Sequence, residues 1–149
     1  MRDHCTIVIL KKNFFLFSLH LHIQDQDWDK SGTSVGLAVV ASVASLMLEL
    51  PVPQSMVMTG EISPTGDILR VAGIPEKAAA ALTEPGVDTM ILPSSCAEDV
   101  SFLPEWIKER LKFVYCNNVK TALDIVFPGL VIINIIMMIY LLLTTILSR

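Results

Sequence analysis

Between residues 17 and 127 the apolar residues of this 149-residue chain keep changing their period, and that alternation most constrains the fold. Residues 17–23 read FSLHLHI, so Leu19, Leu21 and Ile23 fall on one side of an extended chain and His20 and His22 on the other. A polar stretch over 24–30 follows. From Ser34 to Leu50 the period changes: Leu37, Val40, Ala41, Ala44, Met47 and Leu48 recur at helical spacing, and Pro51 stops the run. Residues 56–59 and 68–71 predict short strands, with a turn at 63–67 set by Ser63, Pro64 and Gly66. Pro75 suits the first turn of a helix over 76–82, which ends near Pro85 and Gly86. A strand over 87–92, a helix within 97–111, a strand over 113–115 and a helix over 119–127 complete the series. Short strands interleaved with helices predict an α/β fold, a compact mixed sheet packed with helices.

The carboxyl end breaks this pattern. Residues 130–147 carry no charge, and Asn134 and two threonines are their only clearly polar side chains. Eighteen residues at 1.5 Å each give about 27 Å of helix, close to the thickness of a bilayer's hydrocarbon layer. The expectation is a C-terminal apolar helix that crosses a membrane, with Pro128 and Gly129 at its start. The amino end does not read as a signal peptide, because Lys11 and Lys12 split its apolar runs and no small-residue cleavage site follows. A membrane-anchored protein with a cytosolic body follows from that reading. Without the anchor, a soluble intracellular protein does.

Hydrophobic residues make up 52% of the chain, charged residues 17%, and the net charge is −4. That balance gives no electrostatic reason to expect nucleic acid. Cys5, Cys96 and Cys116 are odd in number and widely spaced, which predicts reduced thiols and no zinc site. No metal or cofactor is expected within the chain, and no GxxxxGK[ST] phosphate loop occurs in it.

Two segments carry chemistry. Gly32-Thr33-Ser34-Val35-Gly36 places a hydroxyl between two glycines at the head of a helix. There, unpaired N–H groups and the helix dipole favour developing negative charge, and the glycines let the backbone come close to a substrate carbonyl. A serine hydroxyl needs a group to take its proton. The same pattern also fits a plain helix cap. Lys77 opens an alanine-rich helix, and an amine serves as a base only when neutral, the form that burial favours. A solvated lysine in the first turn of a surface helix fits its position equally well. His20 and His22 suggest a Ser–His arrangement or a metal pair, but no further ligand of suitable spacing appears, so they read as structural residues lining a site.

Together these segments resemble the C-terminal proteolytic domain of the Lon protease family, serine peptidases with a Ser-Lys dyad. His20-Leu21-His22 matches its His-x-His strand, and Ser31-Gly32-Thr33-Ser34-Val35-Gly36 its nucleophile motif. Met58-Thr59-Gly60-Glu61-Ile62 matches a strand end identically, and Ala72-Gly73-Ile74-Pro75-Glu76-Lys77 matches the lysine motif at an interval of 43 residues from Ser34. The resemblance implies a Lon-type fold over 17–127, incomplete at its N-terminal side, with 1–16 unmatched and 128–149 as the candidate transmembrane tail. It implies Ser34 as nucleophile and Lys77 as base. Thr59 would hydrogen-bond the lysine amine, with Glu61, His20, His22, Gly32 and Gly36 in support.

The implied reaction is hydrolysis of unfolded or damaged proteins through an acyl-enzyme. ATP dependence would come from a module outside this chain, and a hexameric homo-oligomer is implied by analogy. Four positions depart from the family pattern: Ser31 replaces an acid, Thr33 a proline, Val35 an alanine and Ala72 a glycine. Val35 is expected to crowd the turn, and Ala72 to pay for any positive φ. These departures support the alternative, a noncatalytic, membrane-anchored Lon-like fragment that binds or scaffolds.

Overall fold

The computed structural model of the protein describes residues 5–13, 16–23 and 32–129. These fall into two units that divide between Thr33 and Ser34. In the first, β1 (Cys5–Asn13) pairs antiparallel with β2 (Leu16–Ile23), from Cys5 opposite Ile23 to Asn13 opposite Leu16. The register shifts between Ile9 and Lys11, so Leu10 is an extra residue of the bulged kind. The stretch expected to match nothing therefore contains a nine-residue strand. Lys11 and Lys12, which split the apolar runs in the sequence, fall within this strand.

The second unit opens within a 3-10 turn, Thr33–Val35, which leads into α1 (Gly36–Leu48). Glu49 then takes a left-handed conformation at φ 57°. The helix ends at Leu48, three residues before Pro51, which in turn keeps Leu50 out of the helical region. The chain continues through β3 (Met56–Met58), β4 (Glu61–Ile62), β5 (Ile68–Leu69) and α2 (Ile74–Ala81). After β6 (Thr89–Pro93) come α3 (Ala97–Ser101), α4 (Glu105–Arg110), β7 (Lys112–Cys116) and α5 (Val119–Val126).

Strands β3, β6 and β7 form a parallel sheet with β6 in the middle. All five residues of β6 are buried, as a central parallel strand covered on both faces requires. Its alternation divides the core. Met90 and Leu92 pack with Ile74, Ala78, Val100, Leu103 and Ile107 from α2 to α4, whereas Ile91 packs with Leu37, Ala122 and Val126 from α1 and α5. The second unit is thus a sheet with helices on both sides.

Two details differ from the sequence reading. The expected single mixed sheet is, among the described residues, a parallel sheet and separate antiparallel pairs, β1–β2 and β4–β5. Strands β4 and β5 pair across the Ser63–Asp67 turn, where Gly66 takes φ 86°, and their ladder is tied to the head of α5 instead of to the parallel sheet. The ties are Ile68 N–H to the Asn117 carbonyl and Val119 N–H to the Gly66 carbonyl, both 2.9 Å. The single helix expected within 97–111 is two helices, because Leu103 precedes Pro104 and cannot comfortably remain helical. The expected apolar helix over 130–147 lies outside the described residues. Among those described, no helix is long and apolar enough to cross a membrane.

Candidate active site

Ser34 sits in the 3-10 turn just ahead of α1, where Val35 already has helical angles, φ −79° and ψ −10°. Its carbonyl accepts two hydrogen bonds from the corner that follows β3. The Gly60 N–H donates at 2.9 Å and the Thr59 Oγ1 at 3.2 Å. The link is returned, since the Leu37 N–H donates to the Gly60 carbonyl at 3.0 Å. The corner itself is anchored to the sheet by the Thr59 N–H, which donates to the Ile91 carbonyl at 3.0 Å. Thr59 is one of two buried polar residues among those described, at 4% exposure, so its hydroxyl needs a partner and has one.

Two glycines make this approach possible. A Cβ on Gly36 would lie 3.2 Å from the Gly60 carbonyl oxygen, and a Cβ on Gly60 would lie 2.5 Å from Ile68 Cγ2. Gly36 therefore has a packing duty against Gly60 and Ile62, which its place in the motif does not reveal.

Lys77 lies in α2 behind Gly73, whose φ of 73° is the left-handed conformation that glycine accommodates without strain. Ile74, Ala78 and Ala81 form the buried stripe of this helix, and Lys77 stands at its edge, half-buried, with its amine donating to the Ala72 carbonyl at 2.7 Å. The structure therefore corrects the pairing expected for Thr59. The threonine hydroxyl is directed to the Ser34 carbonyl and the lysine amine to the Ala72 carbonyl, so no Thr59–Lys77 bond forms. Between the buried and the solvated readings of Lys77, the structure shows a half-buried residue, as long cationic side chains usually arrange themselves.

Ala72 costs nothing in backbone strain, because Glu49 is the only non-glycine residue at positive φ among those described. Val35 likewise adopts ordinary helical angles.

Glu61 stands on β4 opposite Leu69, half-buried. His20 and His22 belong to the first unit, on β2, opposite Val8 and Thr6 respectively. Gly32 also belongs to the first unit and is exposed. Beside the head of α2, Arg70 pairs with Asp99 at 2.7 Å along a cavity of about 420 Å³ that Ala72, Gly73 and Pro75 also line. Sequence reasoning missed the part played by Gly60 and Leu37. A glycine directly after a strand, in a motif matched without a change, is the signal that marks such a corner.

The Lon protease (S16) C-terminal proteolytic domain family matches this chain over residues 1–129. The chain belongs to the Lon protease family. Its match takes in the segment 1–16 that the motifs alone leave out, consistent with β1 pairing along β2. Among curated relatives, a mitochondrial Lon protease homolog of Yarrowia lipolytica is 39% identical over 112 residues, 75% of this chain and 9% of its own length. The Lon protease of a Wolbachia from Culex pipiens is 33% identical over 84% of this chain and 15% of its own. A mitochondrial homolog from Bos taurus is 38% identical over 74% of this chain and 11% of its own. The Lon-family chain therefore spans only about a tenth to a seventh of the length of such relatives.

Proposed function

We propose that this Lon-family chain is a serine peptidase domain that hydrolyses peptide bonds of unfolded or damaged proteins, with Ser34 as nucleophile and Lys77 as general base. The observation that carries the reading is the two-way clamp between the Ser34 turn and the Thr59–Gly60 corner, which fixes a hydroxyl-bearing residue at the head of α1. In the proposed reaction the neutral Lys77 amine takes the Ser34 Oγ proton as Oγ bonds to the substrate carbonyl carbon. The oxyanion forms where helical N–H groups are intrinsically unpaired. On collapse the C–N bond breaks and the Lys77 ammonium returns its proton to the departing amine. Water then cleaves the ester by the same route in reverse.

This sequence requires Lys77 to leave the Ala72 carbonyl, a side-chain swing that partly exposed residues make on the picosecond to nanosecond scale. Thr59, Glu61, Gly32, Gly36, His20 and His22 retain supporting roles in the reading. ATP-driven unfolding by a separate module and assembly into a hexameric ring belong to it by family analogy.

A second reading, a noncatalytic binding or scaffold protein, is favoured by one observation: the candidate base bonds a backbone carbonyl and not the candidate dyad. Ser31, Thr33 and Val35 point the same way. A short unstructured peptide needs no unfolding step, so its cleavage tests the dyad directly. Cleavage by the chain, falling about a thousandfold or more in Ser34→Ala and in Lys77→Ala with unchanged circular dichroism, supports the peptidase. Cleavage that persists in either variant sinks the dyad, and a folded chain that cuts nothing supports the scaffold.

A further inference from the structure

The parallel sheet runs in the order β3, β6, β7, so β7 is an edge strand, and among the described strands only β6 pairs along it. In a parallel pair, alternate residues of a strand turn both backbone groups to the same neighbour. The Lys112 N–H donates to the Asp88 carbonyl at 2.7 Å, which sets that alternation. Lys112, Val114 and Cys116 therefore bond towards β6, and Phe113 and Tyr115 turn their N–H and C=O groups outward. Just beyond them the outward series is partly committed. The Leu111 N–H is spent on the Ile107 carbonyl and the Asn117 carbonyl on the Ile68 N–H, both at 2.9 Å. The strand carries little of the usual edge protection: residues 112–116 hold no proline, their register with β6 is unbroken, and their one charge is Lys112.

We infer that this edge is a self-association surface, on which β7 pairs antiparallel with β7 of a second copy of the chain. A two-fold contact sets one patch against itself, so its register depends on which residue lies on the axis. With Val114 there, Phe113 falls opposite Tyr115 of the second copy. Each such pair exchanges two hydrogen bonds, and every outward group of Phe113 and Tyr115 is matched. With Phe113 on the axis, Tyr115 would face Leu111 and its committed N–H. With Tyr115 on the axis, Phe113 would face Asn117 and its committed carbonyl. The Val114 register also sets aromatic against aromatic on one face, a favourable cross-strand pair. Lys112 falls opposite Cys116, so the two copies of Lys112 stand about 14 Å apart along the strands, beyond the screening length at physiological salt. The strand that best fits this edge is thus its own copy.

Area sets the strength. A five-residue edge, with Tyr115 40% exposed in the single chain, buries several hundred Å² in all, less than the roughly 1,200 Å² of a standard stable interface. The dimer should therefore be reversible, with a dissociation constant between micromolar and millimolar. It requires nothing of the chemistry proposed for Ser34.

Sedimentation of the full chain over a concentration series tests this. Tyr115→Pro removes an outward N–H at an edge position of the kind that accepts proline, and should weaken association about tenfold or more at unchanged circular dichroism. Tyr115→Phe keeps the N–H and the ring and should stay within about twofold of the unmodified chain. Equal association in Tyr115→Pro overturns the inference, as does a chain that remains monomeric up to about 1 mM. Amide exchange on the unmodified chain needs no variant to fold. Exchange at Phe113 and Tyr115 should slow as concentration rises, whereas Val114, bonded to β6 throughout, should not change. In a mixture of labelled and unlabelled chains, the α protons of the two Val114 residues should cross-relax, as in a non-hydrogen-bonded pair. A dimer without the exchange effect makes its contact elsewhere and overturns the inference. Slowing produced by an added extended peptide, and not by chain concentration, assigns the edge to another occupant and overturns it too.

Discussion

Gly60 has no room for a methyl group, because a Cβ there would meet Ile68 Cγ2 at 2.5 Å. Overpacking of this kind costs about 1–3 kcal/mol, so Gly60→Ala should lower the urea-unfolding free energy by about that much. In an Ile68→Ala background the same change should cost clearly less; an equal cost in both would mean that the clash is not the cause. At this scale the matched motif strings single out Ser34, Thr59 and Lys77 as candidates, whereas the part played by Gly60 comes only from the fold. They do not make legible where the Thr59 hydroxyl and the Lys77 amine point. Those directions depend on which carbonyls the folded backbone presents, and the nearest are those of Ser34 and Ala72. The duty of Gly36 is hidden for a similar reason: its neighbours Gly60 and Ile62 are distant in sequence.

The elements repeat that contrast. Helices α1, α2 and α5 and strands β3, β6 and β7 are legible because each has a periodic apolar face or a continuous apolar run with a breaker at its end. The two-residue strand β4 is not, since its pairing with β5 comes from the turn between them and not from a pattern of its own. Helix α5 shows what a good terminus contributes. Asn118 Oδ1 accepts the Thr121 N–H at 2.9 Å and the Thr121 hydroxyl at 3.0 Å. Asn118→Ala should therefore cost about 1 kcal/mol in thermal or urea unfolding, and Asn118→Asp, which keeps the acceptor, much less. Asn118 is also the bridge partner of Asp67, so the β4–β5 turn should show faster amide exchange in Asn118→Ala if the two ends are coupled.

Across the whole second unit, the sheet divides the core into two faces with one buried free thiol on each, Cys96 with Met90 and Leu92, and Cys116 with Ile91. The α/β class and the reduced state expected of these thiols follow from sequence; their opposite faces follow from the fold, Cys116 from its place on β7 and Cys96 from the 3-10 turn that follows β6. Burial pushes the Cys116 thiol above its ordinary value, because desolvation disfavours the thiolate. A group whose value rises on folding contributes stability that is fully present below its unfolded value, about 8.5, and is lost as pH climbs through the folded value. Unfolding free energy should thus fall on the alkaline side, and Cys116→Ala should flatten the early part of that fall. The neighbouring Tyr115, also raised by burial, acts in the same direction at higher pH. An unchanged alkaline slope in Cys116→Ala would assign the loss to other groups.

The most direct test of the central claim, that Ser34 is a nucleophile activated by Lys77, is labelling by an electrophilic probe for activated serines, read by intact mass and site mapping. The account predicts one adduct on Ser34 in the unmodified chain and none in Lys77→Ala at equal secondary structure. No adduct on a folded unmodified chain, or an undiminished one in Lys77→Ala, would contradict it.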